Sequence, residues 1–234
     1  MTKWCIGNAD DFGLTGGVNR GIAEAHAAGA VTSASLMVNR AASADAARLA
    51  ERLPTLSVGL HVNFTNEGDP VVDLADPEAC RAELGRQVQT FHRLLGRAPT
   101  HLDAHHNVHR HAHLAPVFVD AAHALGVPLR EHSPVAYFGS FYAQWEDGQT
   151  HPEQVAVESL LGMVAGFRQG VTELSCHPGY VDEELDSSYA RERELELATL
   201  LDPRVPEGFA RLGVRLVGYR DLHALGLLDG RHAR

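Results

Sequence analysis

The chain has 234 residues, room for one large domain or two small ones, and its 44% hydrophobic content supplies a sizeable core. Thirty Asp plus Glu against 20 Lys plus Arg leave a net charge of −10, which repels phosphate backbones and argues against nucleic acid as a partner. No stretch approaches the ~20 apolar residues of a membrane span. The N-terminal "MTKWCIGNADDFG" carries no signal-peptide pattern, and Cys5, Cys80 and Cys176 stand far apart without a CxxC pair. No membrane partner and a reducing, cytoplasmic setting are expected.

Short apolar runs alternate with segments of helical period. Residues 4–8, "WCIGN", read as a strand, and 16–29 as a helix that Thr15 can cap and Gly29 can stop. A strand at 32–38, a helix at 43–53 ending before Pro54, and a strand at 57–63 follow. The next helix is the most clearly marked. Asp76 caps it, Pro77 sits in its first turn and Gly96 ends it, while Cys80, Leu84, Val88, Phe91 and Leu95 form one buried stripe. Then come a strand at 100–103, a helix at 114–125, a strand at 127–130, a helix at 152–168 and a strand at 172–178. A helix at 187–201, a strand at 214–219 and a short last helix complete the chain. This alternation predicts an α/β fold, about seven parallel strands with helices outside, closed into a (β/α) barrel or left incompletely closed. One domain is expected over 1–234, with 226–234 as a frayed tail.

The C-terminal ends of these strands carry ionisable residues: Asp10 and Asp11, His61, Asp103 and His105, Arg130, and His177. That edge is where barrels and open α/β sheets build their sites. Adjacent carboxylates repel unless a cation or donors offset them, although acids near a helix start are also favoured by the helix dipole. His61 lies in an apolar run, where a hydrogen-bonded core histidine is the plainer reading. The segment 101–113, "HLDAHHNVHRHAH", packs six of the 15 histidines into one stretch. His101, Asp103 and His105 would share a strand face; His105 and His106 would diverge, so one of them at most serves a given metal. His109, His111 and His113 read as a solvated polar segment. An Asp with two His from different strands is an N,N,O set that leaves open positions, the pattern of a catalytic zinc site. Zinc is the expected ion and magnesium, which prefers more oxygen ligands, the alternative.

The runs "NADDFGLTGGVNRGI", "VTSASLMVN", "VGLHVNFT", "THLDAHHNVH", "SCHPGY" and "GYRDL" together resemble the YdjC/ChbG-like carbohydrate deacetylases, in order and over nearly the whole chain. The resemblance implies a barrel-like deacetylase fold. It also implies metal-dependent removal of an acetyl group from an N-acetylated amino sugar, such as the N-acetylglucosamine units of chitooligosaccharides. It makes Asp11, His61 and His105 the metal ligands, Asp10 the general base and His177 the general acid. Asn107 stands where relatives commonly carry a third consecutive histidine, and the segment between His61 and His101 is short for the family.

Two supporting roles are expected: Asp103 orienting His105 or another histidine, and Arg130 pairing with Asp10. Either could equally be a structural ion pair. The stretch 137–145, "YFGSFYAQW", holds five of the 15 aromatics and is expected in a loop on the active edge. There Phe141 and Tyr142 could pack on a sugar, or the loop could be pinned by its own side chains or form a homodimer contact. Competing readings are a phosphoesterase on a similar barrel, for which only Arg130 is an evident basic group, and a histidine-rich metal-binding protein using His106, His109, His111 and His113.

Overall fold

The computed structural model of the chain describes residues 2–145 and 148–228. Seven strands form one sheet: β1 (Lys3–Phe12), β2 (Ser33–Leu36), β3 (Ser57–Val62), β4 (Leu102–Ala104), β5 (Ala136–Phe138), β6 (Gly170–Cys176) and β7 (Val214–Leu216). The order is β4-β3-β2-β1-β6-β5, and every pair is parallel. β7 lies beside the first residues of β1, Lys3–Cys5, and β2 takes over from Asn8 onward. The helices are α1 (Gly16–Ala27), α2 (Ser43–Arg52), α3 (Pro77–Leu95), α4 (Ala115–Leu125), α5 (Val157–Ala165), α6 (Arg191–Leu200) and α7 (Arg204–Arg211). The result is an incompletely closed (β/α) barrel.

Local chemistry accounts for the element ends. The Thr15 side chain accepts from Val18 N, and Gly29, at φ 88°, turns the chain out of α1. The Asp76 carboxylate accepts from Glu78 N and Ala79 N, Pro77 opens α3, and Gly96 closes it at φ 65°.

Five element assignments differ from expectation. The run 127–130 is not a strand; Leu129 makes a single parallel bridge to Leu102, because Pro128 has no N–H to extend the ladder. The fifth strand is Ala136–Phe138, overlapping the start of the aromatic stretch expected to be loop, and it pairs with β6. Helix α7 comes from "RVPEGFAR", whose Pro206 and Gly208 disguise a Val205/Phe209 pair that packs into the core. The segment 152–168 is split, with a 3-10 turn at Pro152–Val155 before α5. The short last helix is only a 3-10 turn at Tyr219–Asp221. Of the expected tail, 229–234 lies outside the described residues, while Leu227 and Leu228 pack against a small apolar cluster of Ile6, Val135, Val171, Val217, Tyr219 and Leu222.

That cluster is one layer of a stack. Along β1 the residues Ile6, Asn8 and Asp10 share a face, as do Val171, Glu173 and Ser175 along β6, because strand side chains alternate. The apolar members join the cluster; the polar members form a buried hydrogen-bonded layer next to it. Gly59 of β3 makes room for this stack: a Cβ there would lie 2.4 Å from the ring of His101, which is stacked on Tyr219.

Candidate active site

The polar layer opens into a cleft of about 460 Å³, lined by Asp10, Asp11, His61, His105, His177, Tyr137, Tyr142, Tyr189 and Arg193 among others. Consecutive strand residues normally face opposite ways, yet Asp10 and Asp11 both reach the cleft. The β1–β2 register shifts between Ala9 and Phe12, and Asp11 sits at φ 66°. This bulge, with a non-glycine residue held in the left-handed region, turns the second carboxylate back toward the first.

Asp11, His61 and His105 each offer a ligand atom within 4.8 Å of the others. His61 Nε2 lies 3.2 Å and His105 Nδ1 3.0 Å from Asp11 Oδ1. The other ring nitrogen of His61 lies 2.8 Å from Asp103 Oδ1, so Asp103 orients His61 rather than His105. The Asp11 carboxylate is completed by Arg193, whose Nη2 donates to Oδ2 at 2.6 Å.

Asp10 is held from several sides. Arg130 donates from Nη1 and Nη2 to its two oxygens at 2.8 and 2.7 Å, and Asn8 Nδ2 donates at 2.8 Å. Ser35 and Ser175 hydroxyls each donate at 3.3 Å. The expected Arg130–Asp10 pair is thus present, and Arg130 also reaches Asp103 Oδ2 at 2.8 Å and Glu173 Oε1 at 2.5 Å. Glu173 in turn accepts from the Tyr219 hydroxyl at 2.7 Å.

His177 follows β6 directly, with Nε2 3.8 Å from Asp10 Oδ2. Its backbone N–H donates to Glu196 Oε2 at 2.5 Å, and Glu196 also accepts from the Tyr189 hydroxyl. Tyr142 stacks on Tyr189 at 4.1 Å and meets the His177 ring edge-on. Phe141 does not reach the cleft: it is fully buried in the main core. His109 also differs from expectation. It is buried, not solvated, with Nε2 3.1 Å from Glu131 Oε2 and its ring against Phe118. His111 and His113 are exposed and line no part of the cleft.

Electrostatics favour a cation here. Burial pushes the Asp10 and Asp11 carboxyls up, but Arg130 beside Asp10 and Arg193 beside Asp11 outweigh it and hold both well below the usual range. Burial pulls His61 down, yet Asp103, then Asp11 and Asp10, raise it to about 10. His105 is raised despite its burial, chiefly by Asp11. Buried Asp10, Asp11 and Asp103 outnumber the guanidiniums of Arg130 and Arg193, and such an excess needs a counter-charge. His61 and His105, both raised, lie against these carboxylates. A divalent cation suits the same N,N,O donors, so the residues fit the expected ion.

Several residues of this site escaped sequence reading. Glu173 lay four positions before His177 on the same strand face, a period-2 signal that was available. Arg193 and Glu196 sit in "RERELELATL", which reads as a solvated helix; their spacing with Leu197 and Leu200 is nonetheless that of a buried stripe. Glu67 reaches the cleft from a loop that carries no such pattern.

Fold and cleft together define a (β/α)-barrel protein with an Asp/His centre at the C-terminal ends of its strands. The chain belongs to the YdjC-like protein family, whose model matches residues 6–211. It is 36% identical to a carbohydrate deacetylase of Geobacillus stearothermophilus, over 96% of this chain and 100% of that protein. It is 32% identical to a chitooligosaccharide deacetylase of Yersinia enterocolitica, over 94% of this chain and 100% of that protein. A solved structure from Enterococcus faecalis V583, named as a candidate cellobiose-phosphate cleavage protein, superposes with a TM-score of 0.81 at 28% identity, covering 95% of this chain and 99% of that one. A family 4 carbohydrate esterase of Streptomyces lividans, in complex with acetate, shares the fold at a TM-score of 0.57 and 15% identity, over 92% and 93% of the two chains.

Proposed function

We propose that the protein is a divalent-metal-dependent hydrolase that removes the acetyl group from an N-acetylated amino sugar, in an N-acetylglucosamine-containing oligosaccharide or conjugate. The observation that carries this reading is the meeting of Asp11, His61 and His105 within 4.8 Å, from three separate strand ends, beside Asp10 and His177. The relatives named as carbohydrate and chitooligosaccharide deacetylases support the sugar substrate.

Asp11, His61 and His105 would hold the ion, and two imidazoles with one carboxylate suit zinc better than magnesium. An ion held there supplies Lewis-acid polarisation of the acetyl carbonyl and brings the pKa of a water to about 7. The chain's own groups do the rest. Asp10, kept anionic by Arg130, accepts the proton of the attacking water. His177 delivers a proton to the departing nitrogen, since an amine leaves poorly as an anion. The water oxygen bonds to the acetyl carbon, the C–N bond breaks, and acetate and a free amine result. Tyr142, stacked on Tyr189 beside His177, offers an aromatic face to a sugar ring.

Acetate release over a panel of N-acetyl sugars and conjugates, with and without chelator, tests this reading. Chelator-sensitive release from at least one member is expected; no release from any member overturns it. A phosphoesterase is disfavoured, because the basic groups now visible are committed: Arg130 to Asp10, Asp103 and Glu173, Arg193 to Asp11, and Arg110 to Glu131. Among the described residues no helix is long and apolar enough to cross a membrane. Free, buried Cys5, Cys80 and Cys176 support a reducing, cytoplasmic setting.

A further inference from the structure

We propose a second, weaker divalent-cation site on the cleft wall, formed by Glu67, His105 and His106. The proposal rests on the reading above, in which His105 serves the first ion through one nitrogen, and concerns what the other nitrogen does.

The His105 ring stands between two sets of donors. Its Nδ1 faces Asp11, while its Nε2 is buried, has no hydrogen-bond partner, and lies 3.5 Å from Glu67 Oε1. His106 Nε2 lies 3.9 Å from Glu67 Oε2, and one atom from each of the three residues falls within 4.8 Å of the others. These separations are too long for good hydrogen bonds. They are close to the spacing of donors around an ion: ligands about 2 Å from a tetrahedral zinc stand roughly 3.3 Å apart.

The backbone places His106 for this. In an extended chain the neighbouring imidazoles would point apart. Instead His106 and Asn107 adopt left-handed φ values of 52° and 51°, and the two rings lie side by side with centroids 3.9 Å apart. Thr65 Oγ1 lies 2.8 Å from His106 Nδ1, so Nε2 is the nitrogen turned toward Glu67. That repeats the pattern in which Asp103 holds His61 by its far nitrogen.

The second site is the weaker one for two reasons. His106 is half-exposed, and the His105 ring, already serving one cation, must release its remaining N–H proton to solvent and bridge as imidazolate to serve another. Glu67 and His106 both line the cleft, so an ion between them occupies space a substrate would need.

Chelator-stripped protein is titrated with Zn²⁺ alone by calorimetry, and bound zinc is counted by equilibrium dialysis. The native chain is expected to take up two ions, the second at least tenfold more weakly. Glu67→Gln and His106→Gln should each weaken the second step a further tenfold or more and keep the first. His111→Gln, on the exposed loop, should retain both and controls for uptake by surface histidines. Asp11→Asn should weaken the first step. One ion in the native chain, or a second step unchanged in either the Glu67 or the His106 variant, overturns the second site alone. No zinc uptake at all overturns the metal-dependent reading itself.

Discussion

Arg193 donates from Nη2 to Asp11 Oδ2 at 2.6 Å, and both side chains are about 2% exposed. With Arg130 forked onto Asp10, each member of the adjacent carboxylate pair has a guanidinium of its own. Arg193→Met leaves a buried carboxylate without its partner, a loss of about 3–5 kcal/mol. A divalent ion on Asp11 would replace part of the missing charge, so the loss should be smaller with metal than with chelator. Urea unfolding under both conditions measures it; equal losses would count against a cation on Asp11.

Substitutions at the two ends of the proposed reaction should separate from those at the ligands. Asp10→Asn and His177→Gln are each expected to lower kcat by about 10²- to 10⁴-fold, the usual worth of a positioned acid or base, while bound metal stays near native. Asp11→Asn should lower metal content as well. Elemental analysis beside the acetate assay distinguishes the two patterns, and metal loss in the Asp10 variant would reassign that residue to the ligand set.

Tyr142 and Phe141 are neighbours with opposite expected effects. Phe141→Ala empties a fully buried core position and should cost about 3–5 kcal/mol of stability. Tyr142→Ala removes a partly buried cleft ring, so it should raise KM for a sugar substrate with a smaller loss of stability. Thermal melts and steady-state kinetics on both variants check this; an unchanged KM for Tyr142→Ala removes the sugar platform.

His101 predicts an acid sensitivity remote from the cleft mouth. Burial pulls its pKa from 6.5 to about 4, so it is neutral in the fold while the unfolded chain binds its proton more readily. Its contribution is complete above pH 6.5 and is lost as pH falls toward 4, in total about 3 kcal/mol. His101→Phe keeps a ring against Tyr219 and removes the titration. Stability measured from pH 7 to pH 4 should fall less steeply in that variant; parallel curves would show that another group governs the acid limb.

Much of the site was legible because strand ends are where periodicity and residue chemistry coincide. Asp10, Asp11, His61, Asp103 and His177 come off strands or immediately after them, Arg130 follows the lone bridge at Leu129, and the structure gathers them with His105 in one cleft and the buried polar layer beside it. Pairings between strands were harder to read. Asp103 meets His61 because β3 and β4 align those two residues in register, and no local pattern reports a register. Residues 127–130 and 136–138 exchanged strand status because ladder formation depends on which neighbour presents free N–H groups. Phe141 and His109 were misplaced for a common reason. Composition marks a segment as aromatic or polar, but tertiary packing decides which members turn inward.

β1 draws its partners from both extremes of the chain: β2 soon after it, but β6 and β7 more than 160 residues later. A nascent polypeptide emerging from the ribosome therefore holds β1 with one flank unmatched until β6 has followed it. Contacts of such long sequence separation close slowly. Arg193, the partner of Asp11, follows later still, so assembly of the cleft waits on the distant strands and α6 rather than on the early arrival of its most acidic strand.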